Sequence, residues 1–417
     1  MKKIKQGIGL FGFGVVGSAF YRALKENDFL DAEVKKVCIR QKDKIRSESD
    51  VPFTTWRHEI LYNDEIDIVV ELTDDAVAAF EIVTTAIRNG KPVISANKKM
   101  IAENLPELIR LQQEYGTPLL YEAACCAAVP VIRNLESYYD AEQVHEINGI
   151  VNGSTNYILS SMTADNSSFH QALTVAKLKG YAESDPSLDV SGRDAANKLT
   201  ILIAHAFGNY IRPSELVCKG ITAIADQELS FANKWNSRIR LVARAFRKEN
   251  RTYAYVLPSL IQSNSPLFHV DQADNGVEIA GEYAGVHFFK GKGAGGNPTA
   301  AAVISDLIAL SRSTCYNYEK VKSTLQGEVY ADVKERVYLR AKESEVNIQE
   351  LLQEVEYLHF DGEWITAIGH ACISELAKCQ VFDTDELTVL VIPQNLEVQK
   401  IQEELKFSDS ILEQEVA

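Results

Sequence analysis

The sequence predicts an α/β protein in which an N-terminal parallel sheet with helices on both faces is followed by two α+β regions. Two observations support this fold class. Apolar segments of strand type alternate with helical stretches through the first third of the chain, as in parallel sheets built from βαβ units. After about residue 131 the alternation ends, and longer strands and separate helices follow.

The elements of the first third are predicted from apolar periodicity and from helix stop signals. Gly90 and Gly116 end two of the helices, as glycine commonly does. The predicted strands cover residues 8–11, 34–39, 66–72, 92–95 and 119–121, and the predicted helices cover 15–25, 76–89 and 105–115.

The same patterns predict three domains. The first covers residues 1–131 together with about 295–326, where a glycine-rich stretch leads into a helix at 299–310. The second covers 132–294, with strands at 144–151, 253–261 and within 277–289, and a buried helix at 197–207. The third covers 327–417, with strands at 337–339 and 387–392, a helix at 348–358 and an acidic tail from Gln402.

Composition narrows the class of protein. Apolar residues make up 46% and charged residues 24% of the 417 residues, as in globular proteins, and the net charge of −15 disfavours nucleic-acid binding. No apolar stretch approaches the ~18 residues of a membrane span, and the N-terminus is interpreted as a strand, not a signal peptide. Seven scattered cysteines without a C-x-x-C pair favour a reduced, cytoplasmic protein.

A G-x-G-x-x-G motif, Gly12-Phe13-Gly14-Val15-Val16-Gly17, lies between the first strand and the first helix. In that context it predicts a dinucleotide-binding Rossmann domain. The first glycine allows a tight turn, the second lets the backbone approach a pyrophosphate, and the third lets helix and strand pack closely. The alternative is a glycine-rich turn without a ligand.

Arg40 stands where NAD-preferring domains usually carry an acid for the ribose 2′-hydroxyl. Together with Lys42 or Lys44 it could pair with a 2′-phosphate. We therefore predict that NADP is accepted and preferred, with NAD also possible. The alternative is a set of solvated charges on a surface loop.

Asp194 and Lys198 are four residues apart at the start of a strongly apolar helical stretch, so they share one face. A lysine held in a cleft near carboxylates can transfer a proton to or from a hydroxyl, and Glu183, Asp189 and Asp194 could bind an ammonium group. Composition alone favours the alternative of a surface ion pair. Lys98, after the fourth strand, points toward the predicted cofactor crevice.

These segments together resemble homoserine dehydrogenases over roughly residues 6–325. Small residues from Glu122 to Pro130 contribute to this resemblance, although the Cys125-Cys126 pair could also suggest a nucleophile, for which no partner histidine lies nearby. The matching segments are residues 12–17, 70–72, 96–98, 122–130, 149–159, 180–186, 189–198, 293–295 and 298–300.

The resemblance implies an NAD(P)-dependent enzyme that reversibly reduces L-aspartate 4-semialdehyde to L-homoserine, in threonine, methionine and isoleucine biosynthesis. It implies that 132–294 is a catalytic and dimerisation domain. By position, Lys198 would donate the proton, Lys98 would lie beside the nicotinamide and the substrate, and Gly295 would contact the cofactor. Glu183 and Asp194, supported by Asp189, would hold the substrate's amino end.

The family often binds a monovalent cation, which would here be sodium. By position its ligands would be Glu122 and main-chain carbonyls of Cys125, Ala127 and Val129. Relatives are commonly dimers or tetramers, so a homo-oligomer is expected. Many also end in a small ACT-like βαββαβ domain that binds threonine, and the C-terminal pattern is compatible with one.

Two segments depart from the family pattern. Residues 73–75, Thr-Asp-Asp, replace an Ile-Gly-Gly-like turn, and alanines and cysteines replace glycines after Glu122. Two other classes remain open. One is a different Rossmann-domain oxidoreductase, such as a semialdehyde or amino-acid dehydrogenase. The other is a non-catalytic NADP sensor, which would have no need for the lysines and acids described above.

Overall fold

The structure is a computed structural model that describes residues 6–27, 30–41, 50–321 and 328–396. Lys42, Lys44 and the acidic tail from Gln402 therefore lie outside the described residues. The N-terminal part is a six-stranded parallel sheet of order β3-β2-β1-β4-β5-β6. The alternation predicted a parallel sheet with five of these strands, and the two-residue β3 was not among them. Its strands are β1 (Gln6–Phe11), β2 (Ala32–Cys38), β3 (Phe53–Thr54), β4 (Ile68–Glu71), β5 (Val93–Ser95) and β6 (Leu119–Leu120).

Helices cover both faces of this sheet, because its central strands are apolar on both sides. Val69 and the helices α3 and α4 share one core cluster, whereas Leu10 and Val70 pack with α1 on the other face. The helices of this part are α1 (Val15–Lys25), α2 (His58–Leu61), α3 (Ala76–Arg88) and α4 (Lys98–Tyr115).

Helix α4 begins seven residues before the predicted start at residue 105. The side chain of Asn97 caps it by accepting the N–H of Met100 at 3.0 Å. Pro106 lies inside the helix and cannot donate to the carbonyl of Ala102. The hydroxyl of Tyr210 donates to that carbonyl at 3.0 Å instead, so the helix continues through the proline.

The second sheet has eleven strands, and the helices after residue 131 pack against its strands or against one another. Helix α11 is the exception, because it packs beside α1 on the parallel sheet. The elements from residue 131 to 311 are α5 (Val131–Ser137), β7 (Val144–Ile150), α6 (Gly153–Asp165), α7 (Phe169–Leu178), α8 (Ser187–Val190), α9 (Arg193–Phe207), β8 (Val217–Cys218), α10 (Asp226–Lys234), β9 (Ser237–Lys248), β10 (Arg251–Gln262), β11 (Asp274–Gly281), β12 (Gly285–Lys292) and α11 (Gly296–Ser311).

The C-terminal strands extend the same sheet, since β17 pairs with β10 through Val391 and Ser259. The main path runs β12-β11-β7-β9-β10-β17-β14-β16-β15, and β8 and β13 also pair with β10. The C-terminal elements are β13 (Val329–Tyr330), β14 (Lys334–Lys342), α12 (Ile348–Leu351), β15 (Glu354–Asp361), β16 (Trp364–Cys372), α13 (Ile373–Leu376) and β17 (Leu387–Val391).

The predicted helix at 348–358 is wrong over most of its length. Helix α12 ends at Leu351, and Glu354–Asp361 forms an edge strand paired with β16. The apolar residues in this segment have a spacing that fits either structure, and pairing with the β16 backbone selects the strand. From β14 to β17 the element order is β-α-β-β-α-β, although each helix is a single turn.

Candidate active site

The glycine-rich loop follows β1 at the carboxyl edge of the parallel sheet. Gly12 has φ +88°, and a methyl group there would lie 2.5 Å from the Leu72 carbonyl oxygen. A methyl group on Gly17 would lie 2.3 Å from the Gly12 carbonyl oxygen, whereas one on Gly14 would have nothing within 4 Å. Gly12 and Gly17 are therefore required by protein packing, and Gly14 borders open space that a ligand can occupy.

The N-termini of two helices meet beside this loop. Val15, the first residue of α1, is exposed, Val16 is half-buried, and Phe13 makes edge contacts with the rings of Tyr21 and Phe53. Gly295 has φ +111° and precedes α11. A methyl group on Gly296 would lie 3.0 Å from the Val15 carbonyl oxygen, so the start of α11 abuts the start of α1. Free N–H groups at helix N-termini are suited to phosphate binding.

Arg40 lies two residues after β2, and its guanidinium is paired with two acids. It donates to Asp74 at 3.3 Å and to Asp75 at 3.1 Å. Both acids belong to the turn after β4. Because β1 separates β2 from β4, these ion pairs join the two turns on either side of the glycine-rich loop.

Glu71, at the end of β4, connects the loop edge to Lys98. Its buried carboxylate accepts the N–H of Thr73 at 2.7 Å and the hydroxyl of Ser95 at 2.6 Å. Ser95 in turn accepts the N–H of Asn97, which caps the helix that begins with Lys98. Burial raises the pKa of Glu71 against the effect of these hydrogen bonds. These contacts position the first turn of α4, and with it Lys98.

Asp194 lies between two lysines. Its carboxylate contacts the Lys198 ammonium at 2.8 Å through Oδ2 and the Lys98 ammonium at 2.5 Å through Oδ1. Lys198 also donates to the Val151 carbonyl at 2.6 Å. Asp194 and Lys198 are 3% and 6% exposed, so the alternative of a surface ion pair is excluded.

The two lysines and the carboxylate set one another's protonation. Burial alone would raise the pKa of Asp194, but the Lys198 and Lys98 ammonium groups outweigh it and hold that pKa below its usual range. Burial alone would lower the pKa of Lys198, and the Asp194 carboxylate outweighs it, so that pKa is raised. Lys198 is therefore a buried, protonated acid that is able to donate a proton.

Two asparagines complete the cluster, and the sequence assigned no role to either. Asn152 donates to Asp189 and to Asp194, each at 2.7 Å, and its Oδ1 accepts the N–H of Thr155 as the cap of α6. An asparagine between a strand and a helix signals such a cap. Asn275 is fully buried and donates to the Val151 carbonyl at 3.0 Å, beside Lys198. No local signal marks Asn275, because it lies on β11, far from Lys198 in sequence.

Glu183 is placed differently from the other predicted substrate ligands. It lies in the exposed turn between α7 and α8. Within the part of the chain that the structure describes, no hydrogen bond or ion pair joins it to Asp194 or Lys198. The structure thus brings together Lys98, Asp189, Asp194 and Lys198, and leaves Glu183 outside their contacts.

Glu122 is buried after β6, where its carboxylate accepts the N–H groups of Ile132 and Arg133 at 3.0 and 2.7 Å. Burial, and next the neighbouring Asp306, raise the pKa of Glu122 to about 8. A carboxylate that is costly to ionise in this way is suited to a cation. In the described ranges, no hydrogen bond ends on the carbonyl oxygens of Cys125 or Ala127.

The loop after Glu122 has a backbone that favours glycine. Cys126 has φ 58° and Ala127 has φ 44°, both in the left-handed region, which agrees with the glycines usual in the family. Cys125, Cys126 and Val129 are buried. Burial raises the pKa of Cys126 to about 11 and that of Cys125 well above its usual value, which argues against a thiolate nucleophile.

Two other features are absent from the part of the chain that the structure describes. The described residues contain no group of three or more His, Cys, Asp or Glu side chains placed to hold a metal ion. None of the helices in the same ranges has both the length and the apolar character that a membrane span requires.

Comparison with known proteins agrees with this geometry. The family model described as homoserine dehydrogenase, NAD binding domain, matches residues 12–122, and the one described as homoserine dehydrogenase matches residues 130–308. Homoserine dehydrogenase of Synechocystis is 37% identical over 312 residues, which cover 72% of each chain.

Solved structures of the same family share the fold. The homoserine dehydrogenase of Thiobacillus denitrificans has a TM-score of 0.82 at 29% identity and covers 93% of this chain and 98% of its own. A hyperthermophilic archaeal homoserine dehydrogenase in complex with NADPH has a TM-score of 0.65 at 26% identity and covers 75% of this chain and 99% of its own. The chain is thus an NAD(P)-dependent oxidoreductase that belongs to the homoserine dehydrogenase family.

Proposed function

We propose that this enzyme reversibly reduces L-aspartate 4-semialdehyde to L-homoserine with NADPH, in the biosynthesis of threonine, methionine and isoleucine. The main support is Lys198, a buried ammonium group held by Asp194 and the Val151 carbonyl. Lys98 links this cluster to the sheet edge that carries the glycine-rich loop. An aldehyde reduction needs a hydride source and a positioned acid at one place.

In the proposed mechanism the bound nicotinamide supplies the hydride to the aldehyde carbon. Lys198 donates a proton to the carbonyl oxygen as negative charge develops there. Asp194 keeps Lys198 protonated before the transfer, and Lys98 adds a second positive charge beside the nicotinamide and the substrate. In the reverse direction Lys198 accepts the hydroxyl proton of homoserine.

The substrate's ammonium group is assigned to Glu183 and Asp194, with Asp189 in support. Asn152 supports this assignment, because its amide holds Asp189 and Asp194 together at 2.7 Å each. Glu183 is exposed in the turn before α8, and we propose that it contacts the substrate only in the complex.

The cofactor is assigned to Gly12, Phe13, Gly14, Val15, Val16 and Gly17, with Gly295 and Lys98 beside it. NADP is proposed as the preferred coenzyme, with Arg40 as the ligand of the 2′-phosphate and NAD as an alternative. The Arg40→Ala variant tests this, because it should reduce kcat/KM for NADP⁺ more than for NAD⁺. Equal losses with the two coenzymes would contradict the assignment.

Sodium is proposed as the bound cation, with Glu122 and the main-chain carbonyls of Cys125, Ala127 and Val129 as ligands. The donor set fits, because oxygen ligands that include one buried carboxylate suit a hard cation.

We also propose a cytoplasmic homo-oligomer, a dimer or tetramer, and a C-terminal ACT-like domain that responds to threonine. Light scattering tests the oligomer, and activity with added threonine tests the regulation.

The direct test of the reaction is the nicotinamide absorbance change when the purified protein is given L-homoserine with NADP⁺ or NAD⁺. The proposal predicts turnover of L-homoserine and little turnover of L-serine, whose hydroxyl lies one carbon closer to the ammonium group. NADPH binding without turnover in either direction would favour a different substrate or a cofactor sensor.

A further inference from the structure

The turn after β4 carries two acids that contact Arg40, the residue proposed to bind the 2′-phosphate of NADP. Arg40 is paired with both Asp74 and Asp75, which belong to the segment Thr73-Asp74-Asp75 after β4. In a Rossmann domain the adenosine ribose lies at the end of the second strand and the pyrophosphate at the glycine-rich loop. The ion pairs therefore lie at the ribose end of the coenzyme crevice.

The two acids differ in what else they do. Asp75 caps α3, because its Oδ1 accepts the N–H groups of Val77 and Ala78 at 3.1 and 3.0 Å. Its Oδ2 is thereby directed at Arg40. Asp74 has a side chain that is 91% exposed, and its contact with Arg40 is its one ion pair or hydrogen bond among the described residues.

We propose that Asp74 and Asp75 are coenzyme-specificity residues, which weaken the binding of NADP relative to NAD. They do so in two ways. They engage the Arg40 guanidinium, which must leave them to reach a 2′-phosphate, and they place negative charge near that phosphate. The ribose 2′-hydroxyl of NAD meets no such repulsion and can donate a hydrogen bond to a carboxylate. This inference rests on the proposed role of Arg40.

Asp74→Asn is the sharpest probe, because it removes one charge without removing the cap of α3. Exposed charges at this range should change the NADPH-to-NADH affinity ratio by about 3- to 10-fold at low ionic strength, and by less at high salt. Glu107→Gln is the matched control. Glu107 and Glu114 hold Arg110 on the outer face of α4 in the same way that the two aspartates hold Arg40.

The experiment measures Kd for NADPH and for NADH by nicotinamide fluorescence, at about 20 mM and about 500 mM salt. Wild type, Asp74→Asn, Glu107→Gln, Arg40→Ala and the Arg40→Ala/Asp74→Asn double variant are compared. The expected result is a higher NADPH preference in Asp74→Asn alone at low salt, an unchanged ratio in Glu107→Gln, and a smaller gain in the Arg40→Ala background.

An unchanged ratio in Asp74→Asn at low salt would overturn the proposal. An equal gain with and without Arg40 would overturn the part of it in which Asp74 acts by engaging the Arg40 guanidinium. Because the readout is binding, this outcome is separate from the fate of the proposed reaction, which homoserine turnover tests. Turnover of homoserine together with an unchanged NADPH-to-NADH affinity ratio in Asp74→Asn would support the proposed reaction and contradict the specificity role of the two acids.

Discussion

Substitutions in the glycine-rich loop should separate two effects, because Gly14 borders space for a ligand whereas Gly12 and Gly17 are required by protein packing. Gly14 has φ −87° and ψ −150°, an extended conformation, and a methyl group there meets nothing within 4 Å. The free energy of unfolding of Gly14→Ala, measured without cofactor, should therefore be unchanged or raised by about 0.4–1 kcal/mol through the entropy of the unfolded chain.

Gly14→Ala should instead weaken the binding of the cofactor. A methyl group that moves the pyrophosphate away from the loop and breaks one charge-assisted hydrogen bond costs about 1.5–3 kcal/mol, or roughly 10- to 150-fold in Kd for NADPH. Gly17→Ala should behave in the opposite way. Its methyl group would lie 2.3 Å from the Gly12 carbonyl oxygen, so it should destabilise the apo-protein by about 1–3 kcal/mol.

The assay pairs urea unfolding of the apo-protein with NADPH fluorescence titration. Gly90→Ala is the control, since Gly90 has φ +71° with open space around it and ends α3 away from the loop. It should lose about 1 kcal/mol of stability while it keeps wild-type affinity for NADPH. Wild-type affinity in Gly14→Ala would refute the assignment of this loop to the cofactor.

Three further predictions follow from the site. Asp194→Asn removes the counter-charge of Lys198, so aldehyde reduction should fall by about 10²- to 10⁴-fold. The pKa of Lys198 should also fall, so in a pH–rate profile the loss of the remaining rate with rising pH should begin at a lower pH than in wild type. Asn152→Ser should keep the cap of α6 but release Asp194, so KM for L-homoserine should rise while urea unfolding changes by less than about 1 kcal/mol. Glu122, with its pKa raised to about 8, holds a proton in the native state that the unfolded chain loses above about pH 4.3, so stability should fall as pH rises from about 4.3 to about 8. Glu122→Gln should flatten that fall in urea unfolding at pH 5 and pH 8, and added sodium should counteract it in wild type only.

Local patterns predicted the N-terminal sheet well because each βαβ unit has its own signals. Helix α1 was predicted at the bounds that the structure has, Val15–Lys25, since a glycine turn and an apolar face define it. Helix α4 was predicted too short at its N-terminus, and Pro106, a residue type that favours the first turn of a helix, lies inside it. The hydroxyl that accommodates the proline comes from Tyr210, about a hundred residues later, which no local pattern can indicate.

The residues of the candidate site likewise divide into those that local spacing predicted and those whose contacts depend on tertiary packing. The spacing of Asp194 and Lys198 predicted a shared helical face, and the structure has both side chains on α9 in contact at 2.8 Å. The approach of Lys98 to Asp194 and of Asn275 to Val151 depends on how separate strands and helices pack. The left-handed backbone at Cys126 could not be predicted either, because the sequence there carries no glycine.

The central claim is that Lys198 donates the proton in a nicotinamide-dependent aldehyde reduction. The most direct measurement is NADPH oxidation by L-aspartate 4-semialdehyde in wild type, Lys198→Ala and the control Lys99→Ala, with NADPH affinity measured on the same samples. Lys99 is an exposed neighbour of Lys98 that pairs with Glu103. The account predicts that Lys198→Ala keeps NADPH binding and loses at least about 10²-fold in kcat, while Lys99→Ala keeps both. Turnover by Lys198→Ala within a few-fold of wild type would contradict it.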